Sequence, residues 1–234
     1  MTVPTGISLV DDIHHRGPYV RLKVAISLDG YTALSNGASQ WITGDAARAD
    51  GHAWRAKSDA VVTGVGTVLA DNPLLDVRFA PSPSQPTLVI VDSHLRTPPS
   101  ARLFEVQDRR VLLYTTPAAV ERFDTFGLPN VSVVALPGRD GRVDLAAMVA
   151  DLGQRGLRIL HVEAGSTLNG AFLQSGLVDE LLIYMGPQLL GDGLPMAQMD
   201  RLTRLEEATR LEFVSVHMVG GDLRVVARVV RRKP

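Results

Sequence analysis

Glu163 closes a short apolar run, Ile159 to Val162, and the small-residue turn Ala164-Gly165-Ser166-Thr167 follows it. A carboxylate at the end of a buried strand needs a partner, because unpaired burial is costly. The segment after the turn, Leu168 to Gln174, is helix-like. Strand, glycine turn and helix N-terminus together make an anion site, with free N–H groups and a dipole that favours negative charge. Gly165 allows close backbone approach, and Ser166 or Thr167 can cap the helix or bind a phosphate oxygen. The turn is neither G-x-G-x-x-G nor a Walker loop. An ordinary strand–turn–helix satisfies the same pattern. A second corner of this kind runs from Ala60–Thr63 through Gly64-Val-Gly66-Thr67 into a helical piece, Val68 to Ala70, stopped by Asp71-Asn-Pro73. Two glycine corners and several arginines point to a phosphorylated ligand.

Other chemistries find little support. The chain has no G-x-S-x-G, no H-E-x-x-H and no cysteine. Disulfides and cysteine-ligated zinc are therefore excluded, and a reducing cytoplasm is compatible. Histidines stand at 14, 15, 52, 94, 161 and 217. His161 and Glu163 alternate along one strand and face one side. They could be two metal ligands, but a third is missing, and a packed or hydrogen-bonded histidine fits as well. His14-His15 also lacks a third ligand and reads as part of a solvated tail. No metal is expected.

The positioning elements follow from periodicity and punctuation. Residues 1–17 read as an irregular arm and 18–234 as one domain. Tyr19 to Ser27 alternates as a strand, turned by Leu28-Asp29-Gly30. Thr32 to Ser39 reads as a flexible loop. Asp45 is the expected N-cap of a helix from Ala46 to about Lys57. Residues 80–86 are a loop by composition. Thr87 to Val91, Val111 to Thr115, Val131 to Leu136 and Asp179 to Met185 read as strands. Pro117 opens a short helix toward Phe126. Leu145 to Leu152 is an amphipathic helix, capped by Asp144 and ended by Gly153. Residues 186–200 read as an irregular crossing. Arg210–Met218 and Leu223–Arg231 flank Gly220-Gly221-Asp222 as an antiparallel hairpin. Strands alternating with helices imply an α/β fold with a mostly parallel sheet, helices on both faces and an antiparallel edge.

The bulk numbers fit this reading. A chain of 234 residues, 45% apolar and 21% charged, has the composition of an ordinary soluble globular protein and enough length for a real core. A net charge of −1 makes nucleic acid and anionic membranes poor partners. No apolar run approaches the roughly 20 residues of a membrane span. The N-terminus lacks the pattern of a secretory signal, so a cytoplasmic location is expected.

Four blocks, in order, resemble one family: Leu22-Lys-Val-Ala-Ile-Ser-Leu-Asp-Gly30, Ser39-Gln-Trp-Ile-Thr43, the run from Asp59 to Pro73 (DAVVTGVGTVLADNP), and His161 to Ala171. They are similar to the pyrimidine reductases of riboflavin biosynthesis, the 5-amino-6-(5-phosphoribosylamino)uracil reductases, over about residues 18 to 231. The resemblance implies a dihydrofolate-reductase-like fold, NADPH as hydride donor, and a phosphorylated pyrimidine whose ribosyl C1′ is reduced to a ribitylamino chain. It implies substrate contacts at Ser39, Arg55, Leu75, Arg78 and Glu163. The two guanidinium forks suit a phosphate dianion, and an ionised Glu163 suits the N–H edge of an aminopyrimidine. It implies cofactor contacts at Ala25, Trp41, Thr67, Asp71 and Ser93. The diphosphate loop would be Gly165, Ser166, Thr167, Leu168, Asn169, Gly170 and Ala171. Arg96, by charge alone, could neutralise a 2′-phosphate. Asp71 is the one acid nominated for a proton-handling, catalytic role. Bland alternatives stay open: Trp41 as a packed aromatic, Arg48, Arg55 and Arg78 as a solvated face, and Asp71 as a turn residue.

Relatives often carry this reductase behind a zinc deaminase with H-x-E and P-C-x-x-C elements. Only a short arm precedes residue 18 and the chain has no cysteine, so a reductase without an attached deaminase is expected, and the substrate's ring stays open between the aminouracil and the diaminopyrimidine. Two other readings remain: a reductase of a related pyrimidine or pterin metabolite on the same fold, and a non-catalytic nucleotide-binding protein. The resemblance also implies a homodimer, for which Val225-Val226 and Val229-Val230 of the apolar final hairpin could supply an interface.

Overall fold

The structure is a computed structural model, and it describes residues 17–120 and 127–231. In chain order the elements are β1 (Tyr19–Ser27), β2 (Tyr31–Leu34), α1 (Asp45–Ala56), β3 (Ala60–Gly64), α2 (Val65–Asp71), β4 (Thr87–Val91) and β5 (Val111–Thr115). There follow α3 (Pro117–Val120), β6 (Val131–Ala135), α4 (Leu145–Gln154), β7 (Ile159–Val162), α5 (Ser166–Gln174) and β8 (Glu180–Gly186). The chain ends in β9 (Gly193–Pro195), β10 (Arg210–Val219) and β11 (Asp222–Val230). Nine strands form one sheet in the order β10-β11-β8-β1-β7-β3-β4-β5-β6. From β8 to β6 every pairing is parallel, and β11 alone is reversed, pairing antiparallel with both β8 and β10. The central strands are apolar on both sides because parallel strands are covered on both faces.

One face of the sheet packs Leu22, Val24, Val62 and Leu160 against Met148, Leu152 and Phe172 of α4 and α5. The other face is divided. Over β3, β4 and β5 it is apolar, with Val61, Leu88, Ile90 and Leu113 against Val68, Leu75 and Leu103. Under α1 the apolar cluster shrinks to Ala47, Leu182, Tyr184 and Val226. Charge fills the rest: Arg21 Nε donates to Glu180 at 2.5 Å, and Asp50 accepts from Tyr184 Oη at 2.6 Å and Arg224 at 2.9 Å.

Several local expectations are corrected. Asp45 is the first helical residue of α1, not its cap, and its carboxylate pairs with Arg48. Gly44 takes the cap position, and its N–H is held by the Asp222 carboxylate at 2.7 Å, a long-range partner with no local signature. The first three residues of the expected flexible loop, Thr32 to Leu34, belong to β2, paired with β9 in the stretch read as irregular. Both strands are too short to show a period. α2 begins at Val65, directly from the Gly64 corner, rather than at Val68, and stops at Asn72 with φ 41°. α4 runs through Gly153, which lies against Pro18, to Gln154, and the left-handed Gly156 at φ 84° follows its cap. Ser166 and Thr167 do not cap α5. They sit one and two residues beyond Gly165, which holds the cap position. Val225 and Val226 are buried within this chain, so they offer nothing to a partner. Val230, at the end of β11, stays 46% exposed, and most exposed apolar side chains of the hairpin lie on β10, among them Phe213 at 71% and Met218 at 65%. The expected continuation of the Pro117 helix toward Phe126 falls outside the described residues, as does the arm with His14-His15.

Candidate active site

A cleft of about 730 Å³ opens beyond the carboxyl ends of β1, β3, β4 and β7, where open α/β sheets present their ligand sites. Its size is that of a small-molecule site. The two glycine corners form facing walls. A Cβ on Gly64 would lie 3.0 Å from Leu168, and one on Gly165 would lie 3.8 Å from Thr67 Oγ1. The first distance is tighter than an ordinary contact, so the missing side chain at Gly64 is what lets Leu168 pack against this corner, whereas the second is an ordinary contact.

Of the residues singled out in the sequence, the cleft gathers Ala25, Ser39, Thr67, Asp71, Leu75, Ser93, Glu163, Gly165, Ser166, Thr167, Leu168 and Ala171, together with Arg96. Trp41 does not line it. Its ring is 66% exposed, and the Arg48 guanidinium stacks 4.2 Å from it. Arg78 stands outside, half exposed and paired with Asp76. Asn169 and Gly170 face inward. Asn169 donates to the Met196 carbonyl at 2.9 Å, and a Cβ on Gly170 would collide with the Gln198 carbonyl. Their geometry is that of a scaffold under the loop, because a helix turns successive residues away from one face.

Glu163 is the most heavily held group in the cleft wall. Arg55 grips both its oxygens, through Nε on Oε1 and Nη2 on Oε2 at 2.9 Å. Arg55 Nη1 donates to the Asp76 carbonyl at 2.9 Å. The fork expected for a phosphate is thus committed to Glu163 and the loop. Lys23 Nζ reaches Oε2 at 3.4 Å, and His161 Nε2 stands 3.3 Å from Oε1. Burial pushes the Glu163 carboxyl up, but the Arg55 and Lys23 charges outweigh it and hold the group well below the usual carboxylate range. Two cations beside it also make a third charge, a metal ion, an unfavourable neighbour. Among the described residues no group of three or more His, Asp or Glu could hold a metal.

Supporting positions fix the loops. Arg109, 1% exposed, donates Nη1 to the Leu74 and Leu75 carbonyls at 2.9 Å each, and Nη2 to the Leu103 carbonyl. This holds Leu75 in the cleft at φ 51°. Desolvation pushes Arg109 down to about 10, still well above neutrality. The Asp71 carboxyl is exposed at the rim, and desolvation pushes it up from its ordinary value. Lys23, His94 and Arg142 line the cleft although the sequence did not single them out for a site. Lys23 had a signal, since it alternates with Ala25 on one face of β1. Arg142 had none, because a loop after β6 carries no period.

The match to known proteins is extensive. A family model described as the RibD C-terminal domain covers residues 18–225. The chain belongs to that family. The riboflavin biosynthesis protein RibD of Escherichia coli is 36% identical over 219 residues, which cover 88% of this chain and 58% of that one. The solved RibD of Acinetobacter baumannii (form 1) superposes with a TM-score of 0.77 at 34% identity, covering 92% of this chain and 59% of that one. The chain thus spans just under three fifths of the RibD proteins it matches. Dihydrofolate reductase from Enterococcus faecalis superposes with a TM-score of 0.50 at 11% identity over 90% of this chain and 96% of that one. The RibD C-terminal domain is therefore dihydrofolate-reductase-like in fold, with the hairpin β10–β11 closing one edge of its sheet.

Proposed function

We propose that the chain is an NADPH-dependent reductase that converts the ribosyl C1′ of 5-amino-6-(5-phosphoribosylamino)uracil, or of its diaminopyrimidine precursor, to the ribitylamino product. Membership of the RibD C-terminal domain family supports the reaction class. One observation carries the reading: a single cleft joins an anchored, ionised Glu163 to two glycine corners and to two arginines whose side chains have no partner among the described residues. Arg96 and Arg142 come from separate loops and make no side-chain ion pair or hydrogen bond among the described residues, while Ser93 and His94 lie beside them. Unpaired guanidinium groups at the end of a dinucleotide-sized cleft suit a 2′-phosphate, which distinguishes NADPH from NADH.

NADPH supplies the hydride when bound. The chain's residues do the rest. Ala25 leaves room on β1 for a flat ring, and Thr67 with the 165–168 turn offers donors to a diphosphate. Glu163 presents an acceptor to the pyrimidine N–H edge, and its burial is offset by Arg55 and Lys23. Ser39, the Leu75 backbone and Arg78 take the 5′-phosphate, with Arg78 swinging in from its exposed pair with Asp76. Reduction of an open-chain imine adds hydride at C1′ and a proton at nitrogen, and Asp71 at the rim is the acid assigned to that proton. Holding donor and acceptor carbons together supplies most of the acceleration.

The second part of the proposal concerns assembly. β10 is an edge strand of ten residues, and its exposed Leu211, Phe213, Val214, Val216 and Met218 suit a second copy of this chain, as a homodimer. No helix among the described residues is long and apolar enough to cross a membrane, and a cytoplasmic location belongs to the same proposal.

The test is loss of NADPH absorbance with each pyrimidine supplied separately. Oxidation with one of them establishes the reductase and the order of deamination and reduction. Tight NADPH binding with no oxidation favours a binding protein, and reduction of dihydrofolate favours a pterin enzyme.

A further inference from the structure

His161 is wholly buried in the middle of the sheet. On β7 it lies in register with Arg21 of β1 and Val61 of β3. Its strand neighbours Ile159, Leu160 and Val162 are apolar, as a strand covered on both faces requires. An imidazole there gives up hydration at both nitrogens, and neither nitrogen meets full hydrogen-bond geometry with any of the described residues. The polar contact it does make is from Nε2 to Glu163 Oε1, at 3.3 Å and off the straight hydrogen-bond line. Nε2 is the nitrogen with a carboxylate oxygen within 4 Å, so the reason for a polar ring here lies at Nε2.

The protonation state follows from the neighbours. Arg55, Lys23 and Glu163 are the charged groups that face the ring, and Arg21 beside it is paired with Glu180. Burial first, with Lys23 and Arg55 adding to it, keeps the ring neutral against the pull of Glu163. A neutral ring whose Nε2 lone pair faced an ionised carboxylate oxygen would be repelled. The ring therefore carries its proton on Nε2 and donates toward Oε1.

We propose that His161 is a positioning residue that locks Oε1 of Glu163 from inside the sheet and leaves Oε2 as the oxygen offered to the substrate. The carboxylate has about four lone-pair directions. Arg55 takes one on each oxygen. His161 reaches Oε1 from the interior, and Lys23, which lines the cleft, reaches Oε2. The Lys23 contact is long and on the open side, so an N–H of the ring substrate can replace it. His161 cannot be displaced by a ligand, because no part of it is accessible. It fixes the carboxylate plane while the outer oxygen exchanges partners. The inference rests on the pyrimidine-binding role proposed for Glu163.

Two measurements test it. In steady-state kinetics, His161→Leu, close in volume but without a donor, raises KM for the pyrimidine about ten-fold, the scale of one lost hydrogen bond to a charged group. His161→Gln, whose amide N–H can reach the same oxygen, returns most of the loss. NADPH affinity stays the same in both. An unchanged KM in His161→Leu with its melting temperature preserved overturns the proposal. So does a His161→Gln variant no better than His161→Leu. The second measurement is nitrogen-15 NMR of the imidazole in the substrate-free protein, which does not depend on the enzyme's activity. A proton on Nε2 is expected, and a proton on Nδ1 overturns the proposal. If neither pyrimidine is reduced by the wild-type protein while the NMR shows the Nε2 proton, the reductase reading fails and the locked carboxylate stands.

Discussion

Arg55 holds Glu163 by both oxygens, through Nε and Nη2, while its remaining Nη1 is tied to the Asp76 carbonyl. One guanidinium thus binds α1, β7 and the loop after α2 into the wall of the cleft. Removing it leaves a carboxylate with only 10% of its side chain exposed and Lys23 as its one remaining cation. Breaking a buried pair from one side costs about 3–5 kcal/mol. Arg55→Ala is therefore expected to lose stability on that scale in urea unfolding at neutral pH. The sign in acid follows from linkage. The folded Glu163 carboxyl lies well below 4.5, so it contributes stability above that value, lost as pH falls through the folded value. Without Arg55 that contribution shrinks, and the acid-unfolding midpoint moves to higher pH. An unmoved midpoint would show that Arg55 does not set the charge of Glu163.

Asp71 makes a separate prediction, because it is exposed at the rim and makes no ion pair among the described residues. Asp71→Asn is expected to keep stability within about 0.5 kcal/mol, as surface substitutions do. It should lower kcat more than it changes NADPH affinity, since the amide keeps the shape but cannot give a proton. Equal turnover removes Asp71 from the proton step and leaves it a rim residue.

The sheet and its order of elements were legible in the sequence because strand and helix periods are local. β1, β3, β4, β5, β7 and the final hairpin follow from runs such as YVRLKVAIS and AVVT. What escaped was decided at long range. Gly44 is capped by Asp222 from the far hairpin, and β2 exists only because β9 pairs with it. At the site, the strand–turn–helix pattern singled out Glu163 and both glycine corners, which line one cleft. It could not show that Arg55 is spent on Glu163, nor that Trp41 and Arg78 stand outside the cleft, because side-chain direction depends on packing. Arg142 entered the cleft through loop geometry alone.

Two glycines of the site separate close packing from ligand approach. A Cβ on Gly170 would run into the Gln198 carbonyl, and backbone cannot yield cheaply. Gly170→Ala is expected to cost about 2–3 kcal/mol by overpacking. Gly66 lines the cleft and has nothing within 4 Å of an added Cβ. Gly66→Ala should leave thermal unfolding nearly unchanged and weaken NADPH binding. Equal melting temperatures for the two variants would contradict the packing at Gly170.

His52 predicts a pH dependence. It is 4% exposed, its Nδ1 accepts from the Arg78 N–H at 3.4 Å, and Phe79 packs edge-on at 4.8 Å. Burial first, then Arg55 and Arg78, push it down from 6.5 to about 4. Between those values the unfolded chain binds the proton and the folded one does not, so stability falls as pH drops from 6.5 toward 4. The shift corresponds to at most about 3 kcal/mol. His52→Phe should flatten this part of the stability curve, read from urea midpoints between pH 4 and pH 7. A slope that survives the substitution would place the titrating group elsewhere.

Arg96 and Arg142 set the last expectation, which separates the coenzyme from the reaction. Each sits at the rim without an ion pair among the described residues, which suits it to meet a dianion, and together they match the charge of a 2′-phosphate. A charge-assisted contact is worth about 1.5–3 kcal/mol, so Arg96→Ala or Arg142→Ala should raise KM for NADPH about ten-fold or more. KM for NADH, which has no phosphate there, should hardly move. Because both groups are exposed, added salt should weaken NADPH binding in the wild type and much less in the double variant. Parallel losses for NADPH and NADH would mean that the two arginines shape the cleft rather than read the phosphate.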